Sequence, residues 1–171
     1  MSVLVWITEG TWQAAVDAAR AHVGADAEIT LLYVGGSDIP GAAHGAYAGL
    51  LGRGRRERDP GTRLEHLAAA SGEQLLAAAA ARLGRRCTAV VRTGRVEHEV
   101  VAAAERADLL VVARDGDRHH LGPRSLGPAT RFVVDHAPCP VLLVWPEAAP
   151  DLTSLPPAPH HPRTPPPHHR P

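Results

Sequence analysis

The sequence predicts an α/β fold, a single Rossmann-like, doubly wound domain, and three observations predict it. Short runs are apolar throughout or nearly so: VLVWI at residues 3–7, DLLVVA at 108–113 and VLLVW at 141–145. Such runs read as parallel strands buried on both faces. Between them lie segments whose apolar residues recur at three- and four-residue spacing, as on a helix with one buried stripe. Strand-like and helix-like segments alternate along the chain, which calls for βαβ units, a mainly parallel sheet and helices on both of its faces.

Val3–Ile7 is the first strand. Thr11 stands where a helix N-cap is needed, Trp12, Ala15, Val16, Ala19 and Val23 share one face of the helix that follows, and Gly24 sits where it would end. Glu28–Val34 is the second strand, stopped by Gly35 and Gly36. Residues 35–61 hold many Gly and Pro and the charged cluster Arg53–Asp59, and read as a long connection. Thr62 and Glu65 form a capping box that opens the second helix. Leu64, Leu67, Ser71, Leu75, Ala79 and Leu83 give its spacing, Gly72 weakens its middle and Gly84 ends it. Cys87–Thr93 is the third strand. Val96, Val100, Ala104 and Ala107 mark the third helix, and Asp108–Ala113 is the fourth strand. Ala129, Phe132, Val133 and His136 mark the fourth helix, and Val141–Trp145 is the fifth strand. The domain thus spans residues 1–146. Residues 147–171 are rich in Pro and His and read as a disordered tail, dispensable for folding.

Composition narrows the function. Eighteen Arg balance 18 acidic residues, so bulk charge offers no argument for nucleic acid or an anionic membrane. The chain has no Lys, which excludes Schiff-base chemistry and the P-loop and kinase lysines. The N-terminal apolar run is too short for a signal peptide or a membrane span, so a cytoplasmic protein is expected. Cys87 and Cys139 make neither a disulfide framework nor a zinc site. Ser125 lies near Asp135 and His136, but a nucleophile elbow needs its serine in a tight turn directly after a strand, and here the strand ends about a dozen residues earlier. The paired histidines 119–120, 160–161 and 168–169 point apart on most backbones, so no resident metal is expected. Arg53, Arg55, Arg56 and Arg58 are interrupted by Glu57 and Asp59 and lack interleaved aromatics, which suits a solvated loop.

The segments ADLLVVARDG (Ala107–Gly116) and LGPATRFVVDHAPCPVLLV (Leu126–Val144) carry a resemblance to the universal stress protein family. HAPCPV (His136–Val141) matches the family's entry into its last strand residue for residue. EITLLYV (Glu28–Val34) and TGRVEHEVVAAAERADLLVV (Thr93–Val112) sit where similar segments lie in the family. The resemblance covers about residues 2–146 and implies a five-stranded parallel sheet of order 3-2-1-4-5 with about four helices. Strands one and four are then neighbours at the topological switch point, where ligands enter such sheets. It also implies a regulatory protein rather than an enzyme, commonly a homodimer, with ATP held at that point in many members.

The family's phosphate motif is a strand ending in Gly-x-x-Gly, a loop, and Gly-Ser/Thr opening a helix. Here Ala113 replaces the first glycine and Gly116 keeps the second. Ten residues lead to Gly127, one more than usual, and Pro128 replaces the hydroxyl residue. The N–H groups of Ala129 and Thr130 and the Thr130 hydroxyl remain for phosphate, and Arg114 or Arg124 would supply charge. Thr8, with Glu9 beside it, stands where the family commonly has an Asp that contacts nucleotide, and Val34 matches the residue whose backbone lies by adenine. Two readings stay open: a regulatory module binding ATP or another adenine nucleotide weakly through a degenerate motif, or the same fold without nucleotide acting as a dimeric interaction protein. In both, Val141–Trp145 is the dimer edge.

Overall fold

The computed structural model describes residues 1–36, 60–155 and 157. The strands are β1 (Ser2–Trp6), β2 (Glu28–Gly36), β3 (Thr88–Gly94), β4 (Leu109–Ala113) and β5 (Val141–Val144). The helices are α1 (Trp12–His22), α2 (Pro60–Leu83), α3 (Val96–Ala104) and α4 (Pro128–His136), with short 3-10 turns at Pro123–Ser125 and Leu152–Ser154. All strand pairs are parallel and the order is β3-β2-β1-β4-β5, as expected. The two cysteines, both free, stand just before the two edge strands β3 and β5.

The side-chain alternation of β1 divides the core. Val3, Val5 and Ile7 point to one face, where Ala15, Val16 and Ala19 of α1 and Leu76, Ala79 and Leu83 of α2 cover them. Leu4 and Trp6 point to the other, against Val100 and Ala104 of α3 and Val133 of α4. Each fully buried Val or Leu contributes about 1.5–3 kcal/mol. Small residues on α1 let its backbone lie close to the sheet. Among the described residues no helix is long and apolar enough to cross a membrane.

Several local expectations need correction. Thr11 does occupy the N-cap of α1, but its side chain makes no cap bond; its hydroxyl pairs with that of Thr8 at 2.6 Å. The C-cap of α1 is Val23, whose N–H donates to the Ala19 carbonyl at 3.0 Å, and Gly24 is not left-handed. Gly84 ends α2 with φ 68°, as expected. Gly35 and Gly36 do not stop β2: they extend it, paired with Thr93 and Gly94. The helix α2 starts at Pro60, which places the expected cap residue Thr62 inside it. The Arg53–Asp59 cluster and the histidines beyond residue 157 lie outside the described residues. Disorder was expected from Glu147, yet the described stretch after β5 carries local structure. Asp151 caps the Leu152–Ser154 turn through Thr153 N–H at 2.8 Å, and the Ser154 hydroxyl accepts from Leu121 N–H at 3.1 Å.

Gly72 neither breaks nor interrupts α2. It is the point where the helix meets Tyr33 of β2: a Cβ there would stand 2.5 Å from the ring Cε1. The residue is small because the ring needs the space. Gly72→Ala is therefore expected to destabilise the domain by about 1–3 kcal/mol from overpacking, outweighing the gain of up to about 1 kcal/mol in helix propensity. Urea denaturation measures the balance; a stabilised variant would show that the ring swings aside freely.

Candidate functional site

The chain leaves β1 for α1 on one face of the sheet, and leaves β4 for α4 on the other. Because β1 and β4 are paired neighbours, their carboxyl ends diverge into a crevice, the place where doubly wound sheets take ligands. Thr8 and Glu9 lie at the β1 end and Ala113–Gly116 at the β4 end. Val34 is near the end of β2, buried against the α3 and α4 side of the core. A cavity of about 540 Å³ lies elsewhere, lined by Asp26, Glu28, Arg85 and Arg86 near the amino ends of β2 and β3.

At the β1 end, the Thr8 carbonyl accepts from Thr11 and Trp12 N–H at 3.3 and 3.1 Å, and its hydroxyl is held by Thr11. Glu9 is exposed, and its charge adds to burial in holding the Tyr33 phenol above its ordinary value, burial being the larger cause. Gly10 has φ 77°, a left-handed turn that suits glycine.

The β4–α4 loop is folded onto itself. Gly116 N–H donates to the Ser125 carbonyl at 3.0 Å, and Asp117 N–H to the Arg124 carbonyl at 2.8 Å. A Cβ on Gly116 would stand 2.7 Å from Ser125 C and 2.9 Å from Leu126 N. Gly116 is thus required by contact of backbone with backbone, not by the approach of a ligand. Ala113 is buried in the core. Arg114 is partly engaged: its guanidinium donates to the Ser125 hydroxyl and lies 4.6 Å from the Trp145 ring centroid, while its buried Nε has no partner among the described residues. Burial pushes that guanidinium below its ordinary value. Arg124 is exposed and engages the loop through its carbonyl. Ala129 and Thr130 do lie in the first turn of α4, where Thr130 is 1% exposed and its hydroxyl has no partner among the described residues.

Sequence reasoning missed Asp115 and Arg118. The Asp115 carboxylate accepts from Gly127 N–H, the N-cap of α4, at 2.7 Å. A carboxylate at a helix N-terminus contributes about 0.3–1 kcal/mol. Arg118 bridges the crevice: it donates to the Gly10 carbonyl at 3.3 Å and pairs with Glu147 at 3.0 Å. Neither residue carries a local spacing signal, because each partner is distant in sequence. Next to the loop, His120, Leu121, Pro123, Arg124 and Ser154 line a cavity of about 550 Å³. His119 N–H and the His120 ring both engage the Asp117 carboxylate.

The structure does not assemble a serine nucleophile. Ser125 is 0% exposed, its hydroxyl donates to the Gly122 carbonyl at 2.6 Å and accepts from Arg114, and the His136 ring instead pairs with the Phe132 carbonyl. The Ser125 hydroxyl is a structural joint between strand end and loop. Ser125→Ala is expected to cost about 1–3 kcal/mol by leaving a buried Arg114 donor unsatisfied, seen as a lower urea midpoint. Unchanged stability would mean the loop is held by its backbone bonds alone.

With this geometry in place, comparison with known proteins gives a consistent result. The model of the universal stress protein family matches residues 2–144. Solved structures share the fold. The hypothetical protein MJ0577 is 18% identical with a TM-score of 0.60, the match covering 86% of this chain and 97% of that one. Universal stress protein UspA from Lactobacillus plantarum is 24% identical with a TM-score of 0.57, covering 84% and 96%. A universal stress protein in complex with cAMP is 19% identical with a TM-score of 0.56, covering 86% and 98%. No curated protein matches the chain. The family match over most of the sequence and the shared sheet order establish that this chain belongs to the universal stress protein family.

Proposed function

We propose that this protein is a cytoplasmic, non-catalytic regulatory module that acts as a homodimer through protein contacts, with the crevice between β1 and β4 closed to nucleotide. The observation that carries this reading is the β4–α4 loop, whose Gly116 and Asp117 amides are spent on the loop's own carbonyls. A glycine loop that cradles phosphate keeps such amides free. Pro128 removes a further donor. The second reading, weak binding of an adenine nucleotide, draws on the neighbour solved with cAMP and on the unpartnered Thr130 hydroxyl.

The dimer reading rests on β5. Within the described sheet it pairs only with β4, and all four of its residues are half-buried. An apolar edge strand is a hazard unless it is paired or covered. Leu110 N–H donates to the Pro140 carbonyl and Arg114 N–H to the Val144 carbonyl, so even-numbered residues of β5 face β4. Leu143 then turns its N–H to the free edge, ready for a symmetry mate.

Native mass spectrometry of the purified protein is expected to give a dimer without retained nucleotide. Leu143→Pro removes an outward-facing donor and a side chain packed on the Leu4 and Trp6 side of the core, and is expected to give monomer or aggregate. A monomeric parent protein at micromolar concentration, or a mass matching bound ATP, would overturn this reading.

A further inference from the structure

The geometry points to a ligand site at the amino end of the sheet, where the Arg85 guanidinium and the Asp26 and Glu28 carboxylates line one cavity and together take a small zwitterion, a molecule with one carboxylate and one ammonium group. This site lies at the opposite end of the strands from the crevice between β1 and β4, and does not depend on what that crevice holds.

The cavity follows from strand register. β2 pairs with β1 from its first residue, Ser2 opposite Glu28, but with β3 only from Thr30, opposite Thr88. Glu28 and Ile29 therefore have no β3 residue beside them, and a cavity opens between them and the chain entering β3 through Arg85 and Arg86. Its volume is about 540 Å³, room for a small molecule.

Arg85 is anchored at one end of its guanidinium and unused at the other. Its Nη1 donates to the Gly24 carbonyl at 2.9 Å, just beyond α1. Its Nε and Nη2 are buried and have no acceptor among the described residues. Those two nitrogens form the edge with which a guanidinium takes a carboxylate in two parallel bonds. Arg82, three residues earlier, uses the same edge in that way: its Nε and Nη2 lie 2.9 and 2.6 Å from the two oxygens of Asp17. Buried donors are as a rule satisfied. An unpaired edge on a residue that lines a cavity is therefore a receptor for a carboxylate, and screening from water strengthens the charge-assisted bonds made there.

The remaining charges select among carboxylates. Asp26 and Glu28 are exposed on the cavity wall, as is Arg86. No ion pair among the described residues joins either acid to either arginine. Two acids offset two arginines, so a simple anion gains no net attraction, whereas an ammonium group on the same molecule is drawn to Asp26 and Glu28. Free amino acids and short peptides carry that pair of charges.

The test is an NMR titration of the full chain with glycine, diglycine and triglycine, zwitterions of rising length, and with acetate and methylammonium at matched ionic strength. At least one zwitterion is expected to bind at least about tenfold more tightly than either single-charge probe, with shifts at the amides of residues 25–30 and 85–88. Arg85→Lys keeps the positive charge and loses the two-nitrogen edge; it is expected to weaken that binding at least about tenfold. The double variant Asp26→Asn, Glu28→Gln is expected to lose the preference for zwitterion over acetate, and it decides the matter alone if Arg85→Lys does not fold. The inference is overturned if no zwitterion binds, if acetate binds as tightly as the best zwitterion, if the shifts fall at the crevice instead, or if either folded variant behaves as the parent does.

Discussion

The central strand β1 is out of water on both faces: Val3, Leu4, Val5 and Trp6 are all buried, as is Ile7 just after it. No single helix layer can achieve that, because successive side chains of a strand point to opposite sides. The chain therefore has to deliver α1 and α2 to one face and α3 and α4 to the other. Right-handed parallel crossovers do this only by building outward from β1 in two directions. The sheet order and the crevice between β1 and β4 are both consequences of burying those five residues.

This requirement is legible in the sequence. Uninterrupted apolar runs identify doubly buried strands, and the stripes on Trp12–Val23 and Val96–Ala104 identify their cover. What was not legible is what depends on contacts between distant segments. Gly72 looks like a weak point in a helix when only local propensity is considered. It is instead the hollow that receives Tyr33, and nothing near Gly72 in sequence announces the ring. Gly35 and Gly36 read as a stop signal for the same reason: their pairing with β3 is a tertiary fact that overrides their weak intrinsic preference for strand.

The candidate site was legible as a place and not as a chemistry. The resemblance located the loop, and its departures at Ala113 and Pro128 were visible as changed letters. The roles of the remaining residues were not. Arg114 reads as spare positive charge for a ligand, yet its guanidinium already contacts Ser125 and Trp145. Gly116 reads as an opening for phosphate, yet it is needed for the loop to close on itself. Asp115, between them, reads as nothing in particular. A side chain's target twelve residues away is decided by how the loop folds, and loop folds are not periodic.

The bridge made by Arg118 has a temporal implication. Its partners lie 108 residues before it and 29 residues after it. During synthesis β1, α1 and β2 emerge early, but the loop over the crevice lacks two of its anchors until Glu147 and Ser154 have been added. Domains take shape from the N-terminus as they are made. The crevice therefore spends most of the chain's elongation unlatched, and it is secured by some of the last described residues to appear.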